Sequence, residues 1–263
     1  MAAEFKLTPP LKWAGGKRWL VPRLKTLWGP LSRRRLVEPF CGGLAICLGL
    51  RPEKALLNDI NQHLINFYHW LQKGLVVSLK FKNKEDAYYR CRDLFNDLIS
   101  TAQGAAGSEA AQLFYYLNRT GYNGLCRFNK KGQFNVPFGR YKRINYARDF
   151  LEYQAAVADW EFVSGDFAGL KIGPSDFIYA DPPYDVEFTQ YAQDDFLWED
   201  QIRLARWLAA HPGPVIASNQ ATDRIIKLYK GLGFSIDFLK GPRRISCTGD
   251  RGPALEILAV KGI

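Results

Sequence analysis

Leu36-Val37-Glu38-Pro39-Phe40-Cys41-Gly42-Gly43 and, a short way on, Ala55-Leu56-Leu57-Asn58-Asp59-Ile60-Asn61 are the stretches that decide the fold. Each is a brief apolar run that stops abruptly, the first at a glycine pair and the second at an aspartate. Each therefore reads as a buried strand ending in a turn. From Asn61 to Lys73 the spacing changes: Leu64, Ile65, Tyr68 and Leu71 fall on one side of a helix, with Asn61 placed to cap its first turn. Strand, turn and helix in that order predict a parallel sheet with crossover helices. The same rhythm returns after Phe150, with strands predicted at 161–163, 177–180, 215–218, 234–239 and 255–260 and helices at 199–210 and 223–232. The middle of the chain differs. Helices are predicted at 84–101 and 109–118, with a loop of small residues at 101–108 between them, followed by a block dense in basic, aromatic, glycine and asparagine residues. Within that block Asn129-Lys130-Lys131-Gly132 reads as the turn of a hairpin joining 125–128 to 133–136. The chain thus divides into a sheet domain split between residues 1–60 and 145–263 and an insert at 61–144, without internal repeats.

A chain of 263 residues is long enough for one large α/β domain with a smaller insert, and 47% hydrophobic with 24% charged residues is the make-up of an ordinary globular protein. The formal net charge of +10 requires a basic surface. Such a surface favours polyanions, nucleic acid or acidic lipid headgroups, although charge alone fits a basic protein without such a partner equally well. No segment is apolar enough to span a membrane: the nearest, residues 36–50, is broken by Glu38, Pro39 and the Gly42-Gly43 pair. The N-terminus lacks the zones of a signal peptide. Cys41, Cys47, Cys91, Cys126 and Cys247 include no CxxC pair and read as reduced thiols of a cytoplasmic protein. With His63, His69 and His211 scattered along the chain, no metal site is expected.

The sharpest local signal is Asp181-Pro182-Pro183-Tyr184, directly after the predicted strand 177–180. By chance this tetrapeptide arises in about one chain in a thousand of this length. A double proline can simply end a strand, but the C-terminal end of a parallel strand is where α/β proteins build their sites. The residue types suit methylation of an exocyclic amine, whose lone pair is delocalised into its ring. Asp181 can accept one amine hydrogen and the Pro182 carbonyl the other, which localises the lone pair, while Tyr184 offers a face on which a base can stack. An activated methyl donor then requires positioning and electrostatics rather than a metal. Gly42 and Gly43 allow the backbone to approach a ligand, and an acid about 20 positions on, Asp59, can accept from both hydroxyls of a ribose. A tight strand-to-helix turn with an unrelated helix cap fits the same residues. Leu11-Lys12-Trp13-Ala14-Gly15-Gly16-Lys17 could wrap an adenosine or a carboxylate; without the Ser/Thr and spacing of a P-loop it is not a triphosphate site. Residues 118–142 carry arginine to read guanine, asparagine to read adenine and a tyrosine to wedge a disturbed base step. A solvated basic hairpin is the alternative for that block.

In order along the chain, KWAGGK (12–17), EPFCGG (38–43), NDIN (58–61), NRTGYNGLCRFN (118–129), FNVPFGRYK (134–142) and DPPY (181–184) resemble the DNA adenine methyltransferases of Dam type, the alpha group of the D12 class. The resemblance extends to Phe188-Thr189-Gln190-Tyr191, Ser218-Asn219 and Arg243-Arg244-Ile245-Ser246, so it covers nearly the whole chain. It implies the S-adenosylmethionine-dependent methyltransferase fold. That is an α/β, seven-stranded, mostly parallel sheet with helices on both faces, the last strand antiparallel and inserted beside the one before it, and a small helical and β-hairpin DNA-recognition insert. It implies methyl transfer from S-adenosylmethionine, leaving S-adenosylhomocysteine, to N6 of an adenine flipped out of double-stranded DNA, on a target that in this family is usually GATC. By the same resemblance catalysis falls to Asp181, Pro182, Pro183 and Tyr184. The cofactor is held by Trp13, Ala14, Gly15 and Lys17, by Glu38, Pro39, Phe40, Gly42 and Gly43, by Asp59 and Ile60, and by Asp166, Phe167 and Asp181, with Asp59 on the ribose and Asp166 on the adenine amine. DNA is contacted by Lys12, Arg119, Tyr122, Asn123, Leu125, Arg127, Asn135, Pro137, Arg140 and Lys142. A monomer, cytoplasmic and encoded by a bacterium or phage, is expected. The chain departs from the family at Leu44, where a further glycine is common, and between Tyr184 and Phe188, where it is short.

Three other readings share part of this pattern. Cytosine-N4 methylation uses the same amine chemistry, although serine more often opens its tetrapeptide. RNA methylation would not need a major-groove hairpin, because the A-form major groove is closed to side chains. A DNA-binding relative without turnover would have no use for an intact DPPY.

Overall fold

Leu36, Val37 and Glu38 are all buried, as expected of a strand in the middle of a sheet that is covered on both faces. The computed structural model describes residues 7–185, 196–242 and 254–263. Its strands are β1 (Leu36–Glu38), β2 (Ala55–Asp59), β3 (Trp160–Ser164), β4 (Phe177–Ala180), β5 (Val215–Gln220), β6 (Ser235–Gly241) and β7 (Ala254–Lys261). They form one seven-stranded sheet in the order β3-β2-β1-β4-β5-β7-β6. The first five strands pair in parallel, while β7 is antiparallel to both β5 and β6 and sits between them, as expected. The strand order reverses at β1 and β4, so the C-terminal ends of these two strands flank a crevice.

Side chains alternate between two cores. Leu36, Leu57, Phe177, Tyr179 and Ile216 face one, and Val37, Leu56, Ile178, Ala180 and Ala217 face the other. The helices are α1 (Val21–Trp28), α2 (Ala45–Leu50), α3 (Gln62–Gln72), α4 (Glu85–Leu98), α5 (Ala102–Ala105), α6 (Ser108–Thr120), α7 (Leu151–Ala156), α8 (Trp198–Ala210) and α9 (Asp223–Gly231). Leu204, Ala205 and Leu208 of α8 and Ile225 and Tyr229 of α9 cover one face. Leu24 and Trp28 of α1, Ile46 of α2, and Leu64, Phe67 and Leu71 of α3 cover the other, with Trp28 set edge-on to Phe177 at 5.0 Å.

Asn61 caps α3, its side chain accepting from the amides of His63 (3.0 Å) and Leu64 (3.2 Å). Sequence and structure differ at several points. The first strand stops at Glu38 rather than Phe40, because Pro39 cannot donate to a ladder. The loop expected at 101–108 contains α5, started by Thr101, whose hydroxyl accepts from the Gly104 amide (3.1 Å). Helix α7 has no counterpart among the predicted helices; it is six residues long and none of them is fully buried, so it leaves no periodic signature. Among the described residues no helix is long and apolar enough to cross a membrane.

The segment from 61 to 144 does not have a core of its own. Tyr88 and Phe95 of α4, Phe114 of α6 and Phe134 share one continuous cluster with β1, β2 and α3. Its hairpin has the expected turn: Asn129 N donates to Gln133 O (2.9 Å), Gly132 N to Asn129 O (2.9 Å), Gly132 is left-handed (φ 73°), and Phe128 bridges Phe134. Asn96 of α4 holds the return side, accepting from Phe134 N (2.8 Å) and donating to Phe134 O (3.2 Å).

His63 joins α3 to this hairpin. It is 8% exposed, stacked on Phe128 at 5.0 Å and edge-on to Phe95 at 5.5 Å. Burial lowers its pKa to about 4, against about 6.5 in an unfolded chain. A depressed histidine adds stability that is present above the unfolded value and lost as pH falls toward the folded one. The wild type should therefore lose about 2 kcal/mol more than His63→Phe between pH 6.5 and pH 4.5. Equal denaturant midpoints against pH for the two proteins would remove His63 from the acid response.

Candidate active site

Asp181 follows the last residue of β4, and three other segments gather around its carboxylate. Ser218 of β5 donates to Asp181 Oδ1 (2.7 Å), and the Tyr179 hydroxyl lies 3.0 Å from Ser218 Oγ. Lys17 Nζ is 3.2 Å from Asp181 Oδ1 and 3.8 Å from Glu256 Oε2, and it donates to the Gly15 carbonyl (3.1 Å). The Lys17 residue is only 5% exposed, and its ammonium sits 4.4 Å above the Tyr184 ring. Tyr184 donates in turn to Glu256 Oε2 (2.6 Å). Burial holds the Asp181 carboxyl above the ordinary aspartate value, against the pull of Lys17 and Ser218. Burial and the neighbouring Asp181 and Glu256 charges push the Tyr184 phenol well above its usual value, so it stays neutral.

The rest of the tetrapeptide is held from behind. Gln201 of α8 donates to the Pro183 carbonyl (2.8 Å) and accepts from Asn219 of β5 (3.0 Å). Asp185 is buried and pairs with Arg224 and Thr222 at the start of α9, while Arg224 lies over the Trp198 ring at 4.7 Å.

Across the crevice lies the turn after β1. The Gly42 amide donates to Asp59 Oδ2 (3.1 Å) and the Asn61 amide to Asp59 Oδ1 (3.0 Å), while Asn58 ties the Pro39 and Gly165 carbonyls together (2.9 Å each). Burial raises the Asp59 pKa in spite of these donors. The two glycines serve Trp13: a Cβ at Gly42 would come within 2.7 Å of its indole nitrogen, and one at Gly43 within 2.8 Å of its Cβ. Leu44 adopts the left-handed conformation (φ 61°) that a glycine would take at no steric cost, with its side chain fully buried in the core. The strain of ~1–2 kcal/mol is comparable to the ~1.5–3 kcal/mol gained by burying a leucine. Glu38 is 2% exposed; its Oε1 has no hydrogen-bond partner among the described residues, and burial together with the Asp181 charge pushes its pKa far up. Ile60 is 76% exposed beside Asp59. Asp166, just past β3, caps a short turn and takes a bidentate pair from Arg203 (2.7 and 2.8 Å), which lowers its pKa. Phe167 is buried against Phe40 at 5.7 Å.

The predicted cofactor and catalytic residues thus gather at one end of the sheet. The predicted DNA residues form a second group. Tyr122, half exposed, and the left-handed Asn123 stand at a loop tip whose base is fixed by Tyr122 N donating to Pro137 O (2.8 Å). Leu125 packs against the core from that loop. Arg127 Nε donates to Asn135 Oδ1 (2.8 Å) across the hairpin, and Arg119 Nε to Asn145 O (2.7 Å). Arg140 pairs with Glu85 (3.4 Å), and Lys142 is exposed. Lys12 connects the groups: Asn118 accepts from Lys12 N (2.8 Å) and donates to Lys12 O (2.7 Å), and Lys12 Nζ donates to Arg119 O (2.9 Å) above the Tyr141 ring. Burial and the Arg119 charge lower the Lys12 pKa to about 8. Ala14 and Gly15 lie in the loop between Trp13 and Lys17. Residues 188–191 and 243–246 lie outside the described residues.

Sequence reasoning missed Glu256, Gln201, Asp185 and Arg224. A lone acid within the apolar run Ala254-Leu255-Glu256-Ile257-Leu258-Ala259-Val260 was a usable signal for Glu256.

The family model of the D12 class N6 adenine-specific DNA methyltransferases matches residues 13–241. The chain is 36% identical to the DNA N-6-adenine-methyltransferase of Escherichia phage P1, over 98% of this chain and 36% of that protein. It is 36% identical to the retron Ec67 DNA adenine methylase of Escherichia coli, over 96% and 90% of the two chains, and 35% identical to the DNA adenine methylase of Vibrio cholerae, over 95% and 94%. It spans about a third of the phage P1 protein and nearly all of the other two.

A carboxyl whose pKa is raised by folding adds stability below its unfolded pKa and loses it as pH rises through the folded one. Without ligand, Glu38→Gln should therefore melt above the wild type at pH 8, with the gap closing toward pH 5; each ~1 kcal/mol shifts the midpoint by about 2–4 °C. A gap independent of pH would show that Glu38 is already ionised in the folded protein.

Proposed function

Because the chain belongs to the D12 class of N6 adenine-specific DNA methyltransferases, we propose that it methylates an adenine turned out of duplex DNA within the sequence GATC. The carrying observation is the Asp181 carboxylate, fixed on Oδ1 by Ser218 and Lys17 at the C-terminal end of β4, the strand that pairs in parallel with β1.

The residues present fit S-adenosylmethionine, which when bound supplies an activated methyl group. Among the described residues one lysine between Asp181 and Glu256 leaves a crevice that favours a cation, and the buried Glu38 Oε1 lacks a donor there. Asp59 would take the ribose hydroxyls beside the exposed face of Ile60, and Asp166 the adenine amine, with Arg203 holding its carboxylate in place. Trp13, Lys17, Phe40 and the Gly42-Gly43 turn would complete the cradle.

For the target base, Asp181 and the Pro182 carbonyl accept the two amine hydrogens and draw the nitrogen toward tetrahedral geometry. Tyr184, neutral and tethered to Glu256, presents a flat face on which the base stacks. The proton released from the amine has Asp181 as its first acceptor, a carboxylate whose raised pKa suits that task. Sequence reading would rest on the loop tip and hairpin. Asn135 orients the Arg127 guanidinium toward a guanine edge, Tyr122 wedges the opened step, and Lys12 reaches the same groove. Residues 61–144 are in this reading the recognition insert, acting as a monomer on chromosomal or phage DNA.

Labelled S-adenosylmethionine and a duplex with one GATC, compared with duplexes in which each base pair is changed in turn, test the reading. Label confined to the adenine of GATC is expected; label elsewhere would retain the chemistry and remove the GATC assignment. Asp181→Ala should abolish transfer while DNA is still bound, and normal turnover in that variant would end its role. Arg127→Ala should relax discrimination at one base pair by about 1–3 kcal/mol, measured as the ratio of kcat/KM on matched and changed duplexes. An unchanged ratio would take Arg127 out of the readout.

A further inference from the structure

Exposure alternates along residues 79–84, where Leu79, Phe81 and Asn83 turn inward and Lys80, Lys82 and Lys84 stand in solvent. The inward set is firmly anchored. Leu79 N donates to Gln112 Oε1 (3.2 Å), Phe81 stacks on Tyr116 at 4.5 Å, and Asn83 Nδ2 donates to Tyr141 O (2.6 Å). The Tyr116 hydroxyl donates to the carbonyl of Lys82 itself (2.7 Å). The three lysines therefore rise from a fixed backbone, with neighbours about 6–7 Å apart at the pitch of an extended chain.

A second basic segment lies alongside. Val77 N donates to Arg148 O (2.7 Å) at one end and Asn83 reaches Tyr141 at the other, so 77–83 and 141–148 run side by side in opposite directions. The second segment adds exposed Lys142, Arg143 and Arg148. Among the described residues none of these six cations pairs with a carboxylate; Arg140, at the head of the ridge, takes Glu85. Lys84 lies within electrostatic reach of Asp86, whose own ion pair is with Arg90, so the strongest stretch is Lys80 and Lys82 with Lys142, Arg143 and Arg148. Cations ordered by their backbone and without a bonded carboxylate form a surface for a regularly spaced polyanion. The ridge starts beside Tyr141, under Lys12, and runs away from the Tyr122 tip and the hairpin.

We infer that Lys80, Lys82 and Lys84, flanked by Arg143 and Arg148, bind backbone phosphates of duplex DNA outside the target sequence. The inference rests on the reading of the chain as an enzyme acting on duplex DNA. Phosphate contacts of this kind position a protein without reading sequence, so the ridge lengthens the footprint and leaves specificity unchanged.

The test compares wild type with Lys80→Ala/Lys82→Ala/Lys84→Ala on two duplexes, a short one ending close to the target sequence and a long one extended on both sides. The readout is the slope of log affinity against log salt. Loss of three phosphate contacts makes the slope shallower by about 2–3 on the long duplex and leaves it unchanged on the short one, with base discrimination intact on both. An unchanged slope on the long duplex overturns the inference, and so does an equal loss on both, which would put the lysines inside the target footprint. Because all three side chains are exposed, an unchanged melting temperature is expected for the variant. Wild-type methyl transfer on the same duplexes measures the underlying reading separately: its absence overturns both, whereas its presence with an unaltered slope overturns only the ridge.

Discussion

Lys17 brings one positive charge into a crevice that already holds Asp181 and Glu256, with Glu38 near enough to Asp181 for the two carboxyls to raise each other's cost of ionisation. Taking such groups out of water is costly, and a buried pair of this kind seldom adds net stability. What it does here is join segments far apart in sequence: the N-terminal loop, the end of β4, β5 through Ser218, and β7 through Glu256. Among the described residues the excess of carboxylates over ammonium gives the crevice a negative bias, suited to a cationic methyl donor.

The same concern with geometry extends through the tetrapeptide. Asp181 is held by β5, the Pro183 carbonyl by α8, Tyr184 by β7, and Asp185 by the first turn of α9. Two prolines remove backbone freedom and the anchors remove most of the remainder. A nucleophile as weak as an aromatic amine depends on acceptors that are already in place, because reorganisation during the reaction would forfeit their effect.

The sheet was legible because central strands announce themselves as short apolar runs, and β1, β2, β4 and β5 were found within a residue or two. Asn61 and the Asn129–Gly132 turn were legible because their chemistry is local: a capping side chain in one case, a positive φ in the other. The placement of Asp181 and Asp59 followed from their position at strand ends. Glu256, Gln201 and Arg224 were not legible, since each acquires its importance from a residue many positions away that only the folded sheet brings near. The glycine pair acquires a further part in the fold that its spacing did not announce: the missing side chains make room for Trp13. Leu44 shows that a left-handed residue can be a leucine when burial offsets the strain.

The segment from Lys12 to Lys17 joins the two halves of the problem. At one end Lys12 is clasped by Asn118, and Gly124 lies so close that a Cβ there would come within 2.3 Å of the Lys12 side chain. At the other end Lys17 is bonded to the Asp181 carboxylate, and between them Trp13 fills the turn after β1. Ala14, Gly15 and Gly16 are exposed, with open space around the left-handed Gly15, so the segment is pinned at Lys12, Trp13 and Lys17 rather than along its whole length. A shift of the Tyr122–Gly124 tip meets Lys12 directly, because Gly124 packs against its side chain. In the proposed reading this short segment runs between the recognition loop and the reacting carboxylate, with the insert packed into the same core as the sheet so that each end has a fixed support.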